Sequence, residues 1–390
     1  MNQRNPMQHQ VAIAGAASTG FSAQNTDRSQ TSLAAQACID VMRQCGLRAE
    51  DIDGLCGSWM QSVSIMQSAL GIPRTTWAAN AVIPVGNQLA AAASAVHSGL
   101  ASVVLVFHAA YRLAWNTASS LKDPFRRIAT PGLMDPQPGP ETVINAVGYT
   151  AWASRYLYEY GLDRTGFGLI AINDRSNAGR NPLAAKRDPI TMDDYLAARM
   201  IREPLGLLDM DVPVDGADAF IVTTAERARD LALPAVLIDA IVLGQSDRND
   251  EDQLRSLRQH GQQIVVQELK SKSDFWIEDT DVYFPYDGFS MLALNWIENV
   301  GWCGYGEAPD FLKQHWNSET NSVLINGRIS VNPHGGSLSE GGTQGSGHLR
   351  EAVHQLQGRA GERQVAGAQR ALLTPGGFFF NAQGITLSRA

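Results

Sequence analysis

An alanine-rich helical stretch followed by an almost wholly apolar strand is the feature that most restricts how this chain can fold. Gly86–Gly99 (GNQLAAAASAVHSG) predicts a helix, and Ser102–His108 (SVVLVFH) predicts a strand. A strand without polar alternation has both faces buried, so it belongs at the centre of a sheet that helices cover on both sides. Strand and helix patterns also alternate in Gln10–Ala14 and Thr26–Gly46. We therefore expect an α/β fold with a mostly parallel or mixed sheet.

The composition limits the partners and the compartment. The chain has 390 residues, of which 44% are hydrophobic, so it can bury a large core. Its net charge of −8 argues against nucleic acid or an anionic membrane as the main partner. No apolar run has the length of a membrane span, and the N-terminal MNQRNPMQHQ lacks a hydrophobic signal region, so we expect a soluble cytoplasmic protein. The cysteines lack metal-ligand spacing and are expected to be buried free thiols: Cys38, Cys45, Cys56 and Cys303.

The order of the patterns divides the chain into an N-terminal half, residues 1–245, and a C-terminal half, residues 246–390. Residues from about 111 to 205 have the pattern of an inserted loop domain, in which the proline-punctuated run Leu121–Pro140 precedes three helical patterns at 143–160, 165–177 and 191–202. Strand–helix units bounded by glycine occur in both halves, which is consistent with an internal duplication.

The segment Val331–His348 (VNPHGGSLSEGGTQGSGH) is a glycine-rich connection between a predicted strand, Ile329–Val331, and a predicted helix, Leu349–Leu356. Glycine is costly to order, so a dense run of it is typical of backbone that turns sharply or approaches a ligand closely. A loop between a strand and a helix start presents backbone N–H groups to an anion or a carbonyl oxygen. Gly335 and Gly336 are therefore candidate ligand-binding residues; a flexible surface connection is the alternative.

Tyr286 and Asp287 are candidate catalytic residues in the run YFPYDGF, between a predicted strand and an apolar helix. Side chains in such a position project to the rim where α/β sheets bind ligands. Tyr286 is a candidate general acid or base, and Asp287 a candidate cap or orienting group; packing and helix capping alone are the alternatives. His334 is a further candidate, because a histidine in the glycine-rich loop can donate a hydrogen bond to a thioester or enolate oxygen.

Other polar residues at the same rim are candidates for the pocket wall. His108 and Tyr111 end the apolar strand, and Asn145 and Tyr149 have i, i+4 spacing on a predicted helix. For His348, at the start of the helix after the glycine-rich segment, we expect capping or surface exposure. The sequence has no serine-hydrolase elbow, zinc-protease motif, P-loop, EF-hand or dinucleotide fingerprint, so we expect no metal and no bound cofactor.

Several segments together resemble the thiolase superfamily, and within it the group related to the thiolase half of sterol carrier protein x. In chain order they are AIAGAASTGFS, AEDIDGLCGSW, SGLASVVLVFH, EPLGLLDMDVPVDGADAFIVTTAERARDL, YDGFSMLALNWIENVGWCGYGEAPDFL, VNPHGGSLSEG and HLREAVHQLQGRAGERQVAGAQRALLTPGG. They cover nearly the whole chain. The resemblance implies a duplicated five-layer αβαβα fold with a loop domain over the site, a homodimer, and acyl-CoA substrates.

The residues with which a thiolase transfers acyl groups are missing at the matching positions. A thiolase acylates a cysteine at the start of the alanine-rich helix, where the helix dipole favours thiolate; here Ala78–Gln88 reads AANAVIPVGNQ. The family's G-H-P histidine falls near Gly341–Thr343, its second cysteine near Leu372–Gly377, and its N-E-A-F asparagine at Tyr286, and this chain has none of the three. Claisen condensation through an acyl-cysteine is therefore excluded.

The NPHGG–LSEG and YDGFS stretches most resemble the lipid-transfer-protein-type aldolases that shorten steroid or bile-acid side chains. This resemblance implies a carbon–carbon lyase that cleaves a β-hydroxyacyl-CoA by a retro-aldol reaction, in a heterotetramer with an OB-fold, zinc-ribbon accessory protein. Our hypothesis is that Tyr286 transfers the proton while His334 and loop amides hold the enolate oxygen, with Ser346 and Gln344 as auxiliary polar groups. The resemblance also implies a second tyrosine after the L-S-E-G glycine, in a place that Gly342 occupies here.

Two other functions fit the same sequence. One is a catalytically inactive thiolase-like scaffold, which would bind an OB-fold partner without turnover. The other is an acyl-CoA or sterol carrier, which would bind ligand tightly without turnover.

Overall fold

The computed structural model describes residues 5–24, 27–58, 61–113, 146–247, 256–377 and 382–390. The β-strands are β1 (Val11–Ser22), β2 (Gly54–Ser58), β3 (Trp77–Ala81), β4 (Val103–Tyr111), β5 (Met200–Arg202), β6 (Leu205–Gly206), β7 (Asp215–Thr224), β8 (Val236–Gly244), β9 (Val282–Pro285), β10 (Trp316–Asn317), β11 (Ser322–Ile325), β12 (Ile329–Val331), β13 (Arg370–Thr374) and β14 (Ala382–Arg389). The α-helices are α1 (Gln30–Cys45), α2 (Val63–Leu70), α3 (Val85–His97), α4 (Ala146–Tyr160), α5 (Thr165–Ala178), α6 (Met192–Ala197), α7 (Ala225–Arg229), α8 (Gly261–Lys272), α9 (Ser290–Val300), α10 (Ala308–Gln314) and α11 (Ser346–Leu356).

Most of the described strands form one mixed sheet whose order repeats from the middle outwards. In space it runs β10-β11-β12-β9-β13-β14-β8-β1-β7-β4-β2-β3. The antiparallel strands β1 and β8 meet in the middle, where Ala12 lies opposite Leu237. From there the order β1-β7-β4-β2-β3 on one side matches β8-β14-β13-β9-β12 on the other. The sheet is therefore duplicated, and by strand order β8 begins the second repeat, upstream of residue 246.

Three layers of helices cover the faces of this sheet, and one of them lies between its two halves. Buried residues of α3 and α11, among them Leu89 and Leu349, share one hydrophobic cluster with strands of both halves. A second cluster packs α1 on the outer face of the first half, and a third packs α8 and α9 on the outer face of the second half. In β4, Val104 belongs to the central cluster and Leu105 to an outer one, so both faces of this strand are buried as predicted. The result is the αβαβα arrangement that the resemblance implies.

The structure differs from the sequence-based prediction in a few segments. The glycine-bounded run Gly15–Gly20 has the composition of a turn, but it continues β1, and its glycines lie where the pairing with β7 shifts register. The predicted helix at 191–202 ends at Ala197, because Met200–Arg202 pairs with β6 as a small hairpin. The helix α8 begins at Gly261, where the His260 side chain caps its first turn.

The described part of the predicted loop domain packs on the C-terminal half. Its helix α5 contacts α9, α10 and the glycine-rich segment, whereas the predicted loop Leu121–Pro140 lies outside the described residues. None of the helices in the described ranges has the length and apolar character that crossing a bilayer demands.

Candidate active site

The glycine-rich segment is buried, and its backbone wraps around the carboxylate of Asp287. Gly336–Glu340 forms a single π-helical turn between β12 and α11. Two amides of this turn donate to the carboxylate, Ser337 N to Oδ1 at 2.8 Å and Leu338 N to Oδ2 at 2.9 Å. The anion that these amides hold is therefore a side chain of the protein itself.

Gly335 and Gly336 allow this close approach because neither carries a side chain. Gly336 has φ +57°, and a Cβ atom there would lie 2.2 Å from Asp287 Oδ2 and 2.9 Å from Asp174 Oδ2. Gly335 has φ +101°, and a Cβ atom there would lie 2.5 Å from that of Ala178. From the sequence we expected a ligand in the space beside these two glycines. Protein atoms fill that space instead, so the glycines make room for neighbouring protein atoms and not for a ligand.

Asp287 and Asp174 form a buried carboxyl pair. Both side chains are fully buried, and the Asn173 amide donates to Asp174 Oδ1 at 3.0 Å. Burial, followed by the charge of Asp287, raises the pKa of Asp174 well above its ordinary value. Burial also acts to raise the pKa of Asp287. The hydrogen bond to His348 and the charge of His348 outweigh the effect of burial, so the pKa of Asp287 lies below its ordinary value. Asp287 is therefore the ionised member of the pair and Asp174 the protonated one.

His348 connects this carboxyl pair to Tyr286 and His334. Its Nε2 lies 3.0 Å from Asp287 Oδ1, and its ring centroid lies 5.8 Å from that of Tyr286 and 4.6 Å from that of His334. The expectation that His348 caps the helix or lies on the surface is wrong, because its side chain is only 1% exposed. The helix α11 begins at Ser346, earlier than predicted, so His348 lies in its first turn and faces inwards.

Tyr286 lies at the carboxyl end of β9, as the sequence predicts. Its backbone N–H donates to Thr374 O at 3.2 Å, which ties it to the neighbouring strand β13. The ring folds over Gly288, where a Cβ atom would lie 2.8 Å from the phenol oxygen. Burial, and then the charge of Asp211, raises the pKa of the Tyr286 phenol, and the Arg112 guanidinium opposes this rise. The phenol is therefore protonated at neutral pH.

His334 lies behind His348 and is fully buried. Neither of its ring nitrogens has a hydrogen-bond partner within the described part of the chain, and its Nε2 lies 4.0 Å from Glu340 Oε2. Burial, helped by the charges of His348 and Arg350, lowers the pKa of His334 well below its ordinary value. His334 is therefore a neutral imidazole whose hydrogen-bonding capacity is unused by the described residues.

A buried network of charges continues from Glu340 towards the N-terminal half. Arg350 donates through Nη2 to Glu340 Oε1 and through Nη1 to Asp218 Oδ1, the latter at 2.8 Å. Ser346 Oγ donates to the other Asp218 oxygen at 2.6 Å, and Asn181 donates to Glu340 at 2.6 Å. Burial raises the pKa of Glu340 to about 7, although Arg350 opposes this rise. Ser346, predicted to be catalytic, uses its hydroxyl to orient Asp218.

His108 joins this network from β4. It lies opposite Asp218 of β7, and its Nδ1 is 2.8 Å from Gln88 Oε1. Burial lowers the pKa of His108 to about 4, while Asp218 and the Gln344 side chain oppose this change. His108 is thus neutral; Gln88 holds its Nδ1, whereas its Nε2 has no hydrogen-bond partner among the described residues.

We call the buried side chains of these paragraphs the polar cluster. The predicted side chains that the structure places in or beside it are Tyr286, Asp287, His334, Ser346, Gln344 and His108. Of the predicted wall residues, Tyr149 stacks on Phe289 at 4.4 Å, and Asn145 lies outside the described residues. The members that the sequence did not reveal are Asp174, Asp218, Glu340 and Arg350. Of these four, Asp218 alone could have been suspected from the sequence, because it is a charged residue inside the apolar strand pattern DGADAFIV.

The described cysteines are poor nucleophiles. Burial raises the pKa of the Cys56 thiol to about 12 and that of Cys45 to about 12, and raises those of Cys38 and Cys303 as well. At the start of α3, where a thiolase has its cysteine, Gly86 N donates to Gln383 Oε1 at 2.8 Å. The structure thus agrees with the exclusion of acyl transfer through cysteine.

Comparisons with known proteins give relatives over almost the entire chain. Residues 246–389 match the family described as thiolase C-terminal domain-like. A 17-hydroxy-3-oxo-4-pregnene-20-carboxyl-CoA lyase of Mycobacterium tuberculosis is 33% identical over 389 residues, covering 94% of this chain and 96% of that protein. A steroid side-chain-cleaving aldolase of Thermomonospora curvata is 31% identical over 388 residues, with 94% and 95% covered. A solved Ltp2-ChsH2(DUF35) aldolase superposes with a TM-score of 0.84 at 29% identity, covering 99% of both chains.

Proposed function

Because the chain belongs to the thiolase-like, sterol-carrier-protein-2-thiolase family, we propose that it is a carbon–carbon lyase that cleaves a β-hydroxyacyl-CoA thioester by a retro-aldol reaction. The proposed substrate is the CoA thioester of a steroid side chain. One observation carries the proposal: the Tyr286 phenol, in the place of the thiolase asparagine, lies beside the His348–Asp287 pair on a chain without the nucleophilic cysteine.

The names of the relatives support this reaction type. The lyase of Mycobacterium tuberculosis is named for a substrate with a hydroxyl group at C17 and a carboxyl-CoA group at C20. The hydroxyl is then β to the thioester carbonyl, which is the arrangement that a retro-aldol cleavage requires. The second relative is named as an aldolase that cleaves steroid side chains.

In the proposed reaction one proton moves from oxygen to carbon. The hydroxyl group gives its proton to Tyr286, the Cα–Cβ bond breaks, and the β-carbon becomes a ketone. The bonding electron pair passes to the thioester as an enolate, and its α-carbon receives a proton. Since the phenol is protonated at rest, Tyr286 passes its own proton towards the α-carbon as it accepts that of the hydroxyl group. No electrons are gained or lost overall, so the reaction needs no redox cofactor.

We assign the enolate oxygen to His334. A neutral imidazole with unused nitrogens can donate to an oxyanion without bringing a charge of its own into a buried site. The amides of Ser337 and Leu338 are already donated to Asp287, so we do not assign the oxyanion to them. Asp287 acts as a positioning residue, because its carboxylate holds both the π-helical turn and His348.

We further propose an OB-fold, zinc-ribbon accessory partner, since the solved relative is named as an Ltp2-ChsH2(DUF35) pair. Among the described strands, β3 ends the sheet and its outer edge pairs with no other strand, which supports a homodimer formed by pairing with a second copy. A heterotetramer follows if both contacts form. A cytoplasmic location fits a CoA-dependent reaction of this kind.

The test is cleavage of a β-hydroxy steroid side-chain CoA thioester by the chain co-expressed with its accessory protein, followed by mass spectrometry of the ketone and the shortened CoA thioester. Tyr286→Phe removes the phenol oxygen and should reduce turnover by at least about 100-fold, in line with general acid–base catalysis. Tyr283→Phe is the matched control, because Tyr283 is a buried tyrosine of β9 whose ring lies 5.9 Å from that of Trp302 and whose phenol oxygen lies 3.4 Å from Thr374 Oγ1. Full activity of Tyr286→Phe would refute the assignment.

The same experiment separates the two other functions. A complex that forms without any turnover of such substrates supports the inactive scaffold. Tight, saturable binding of the thioester by the chain, again without turnover, supports the carrier.

A further inference from the structure

Arg112 and Asp211 form an ion pair at the rim of the sheet, next to the proposed site. Arg112 follows the last residue of β4, and its backbone N–H donates to Val214 O at 3.1 Å. Its guanidinium donates through Nη1 to Asp211 Oδ2. The backbone N–H of Asp211 donates to Gly288 O at 3.0 Å, directly after the Tyr286–Asp287 dipeptide. The pair is thus attached to the turn that carries Tyr286.

The ion pair fills the place where the resemblance implies a second tyrosine. Gly342 occupies that place, and its N–H donates to Val212 O at 2.8 Å. A Cβ atom on Gly342 would lie 2.2 Å from Arg112 Nη1 and 2.4 Å from Asp211 Oδ2. Position 342 therefore cannot carry a side chain while Arg112 and Asp211 are paired as observed.

Tyr286 is the ionisable group that this pair faces. The phenol oxygen lies over Gly288, the residue whose carbonyl accepts from Asp211. The charged and titratable groups around the phenol are Asp211, Arg112, Asp287 and His348. Of these, Asp287 and His348 are bonded to each other, so Arg112 is the cation not already committed to the carboxyl pair.

Resting on the proposed function, we propose that Arg112 is a positioning residue for the lyase reaction. Asp211 holds its guanidinium over Gly342, and from there its positive charge acts on Tyr286 in place of a second tyrosine. The opposite effects of Arg112 and Asp211 on the pKa of the phenol support this proposal. The reaction develops negative charge on the enolate and, as the proton is exchanged, at the phenol oxygen, and a fixed cation near Tyr286 stabilises that charge.

The test compares Arg112→Gln, Asp211→Asn and Gly342→Ala by the pH dependence of kcat. Arg112→Gln removes the cation, so the alkaline limb of the profile, on which Tyr286 loses the proton that it passes on, should move to higher pH by about one unit, a tenfold gain at fixed pH on that limb. Asp211→Asn removes the opposing anion, so the limb should move to lower pH. Gly342→Ala displaces the guanidinium and should follow Arg112→Gln. The matched control is Arg328→Gln, which breaks a similarly exposed ion pair with Asp281 far from the site.

A readout without turnover keeps this proposal separate from the proposed function. Fluorotyrosine is incorporated, the ¹⁹F resonance of Tyr286 is assigned by its loss in Tyr286→Phe, and its alkaline titration is followed in the Arg112→Gln and Asp211→Asn variants. Titrations that move in opposite directions support the proposal even if no substrate is cleaved. Shifts in the same direction, or none, overturn it even if the wild-type protein is an active lyase.

Discussion

The buried carboxyl pair predicts that two chemically identical substitutions have opposite effects. Asp174 is the protonated member, so Asp174→Asn replaces an OH donor with an NH donor and keeps the oxygen that accepts from Asn173. Asp287 is ionised and accepts from Ser337 N, Leu338 N and His348 Nε2. In Asp287→Asn the new NH₂ group must face at least one of these donors.

The expected magnitudes follow from the number of bonds lost. Hydrogen bonds to a charged group contribute about 1.5–3 kcal/mol each, and a buried donor left unsatisfied costs about 1–3 kcal/mol. Asp287→Asn should therefore reduce the free energy of unfolding by about 3–5 kcal/mol, the usual range for removing one partner of a buried ion pair. Below the ordinary carboxyl pKa, Asp174→Asn should change it by less than about 1 kcal/mol, because every hydrogen bond of the protonated acid has a counterpart in the amide. At pH 7 the substitution should increase the free energy of unfolding, because it removes the cost of keeping Asp174 protonated.

The assay is urea unfolding followed by tryptophan fluorescence, at pH 7 and at lower pH. Since the pKa of Asp287 is lowered by folding, its contribution to stability is present above the ordinary carboxyl pKa and is lost as the pH falls. Asp174 has the opposite sign: its raised pKa means that stability is lost as the pH rises above the ordinary value, and Asp174→Asn should remove that loss. Equal destabilisation by the two substitutions at pH 7 would refute the assignment of the proton to Asp174.

Three other predictions follow. Gly336→Ala should reduce the free energy of unfolding by more than about 3 kcal/mol, because the new methyl group clashes with Asp287 and the residue is also strained at positive φ. The control is Gly301→Ala, which is also at positive φ but has nothing within 4 Å, so it should show the strain of about 1–2 kcal/mol alone. Equal losses of stability in urea unfolding would contradict this. Glu340→Gln should flatten the pH dependence of stability between about pH 4.5 and 7, because the raised pKa of Glu340 makes the stability of the wild-type protein fall as the pH rises through that window. A wild-type protein that becomes more stable as the pH rises there would show that the pKa of Glu340 is not raised. After incubation with acyl-CoA and an acid quench, intact-mass spectrometry should detect no acylated protein, because burial raises the thiol pKa of Cys56 to about 12. A mass increase that appears in the wild-type protein and is absent from Cys56→Ala would indicate an acyl-cysteine and count against the proposed lyase.

The fold could be predicted from the sequence because its signals are local and strong. The apolar run of β4 specifies a strand buried on both faces, and α3 and α5 appear at or within a few residues of their predicted bounds. The errors lie where tertiary pairing decides the local structure. Gly15–Gly20 has the composition of a turn, yet it lies in β1, because β7 provides partners along its length.

The candidate site was only partly predictable, for a physical reason. Tyr286 and Asp287 stand at a strand-to-helix junction, and such junctions are visible in a sequence. Asp174 and Arg350 lie inside helices, where a charged residue predicts exposure unless its partner is known, and their partners are far away in the sequence. His348 was assigned to the surface for the same reason, since its partner Asp287 lies 61 residues earlier.

The charges of the polar cluster restrict which groups can hold an enolate. Arg350 is bonded to both Asp218 and Glu340, and His348 is bonded to Asp287, so each positive or potentially positive group there already faces a carboxylate. A new negative oxygen beside these carboxylates is repelled unless it receives a donor of its own, and in a buried site that repulsion is weakly screened. Among the described residues, the neutral His334 with its unused nitrogens can supply such a donor, and the Arg112 guanidinium at the rim, although it is paired with Asp211, adds positive charge near Tyr286. A site with these two groups can accommodate the brief negative charge of a retro-aldol cleavage, and it has no thiolate to bear the lasting covalent intermediate of acyl transfer.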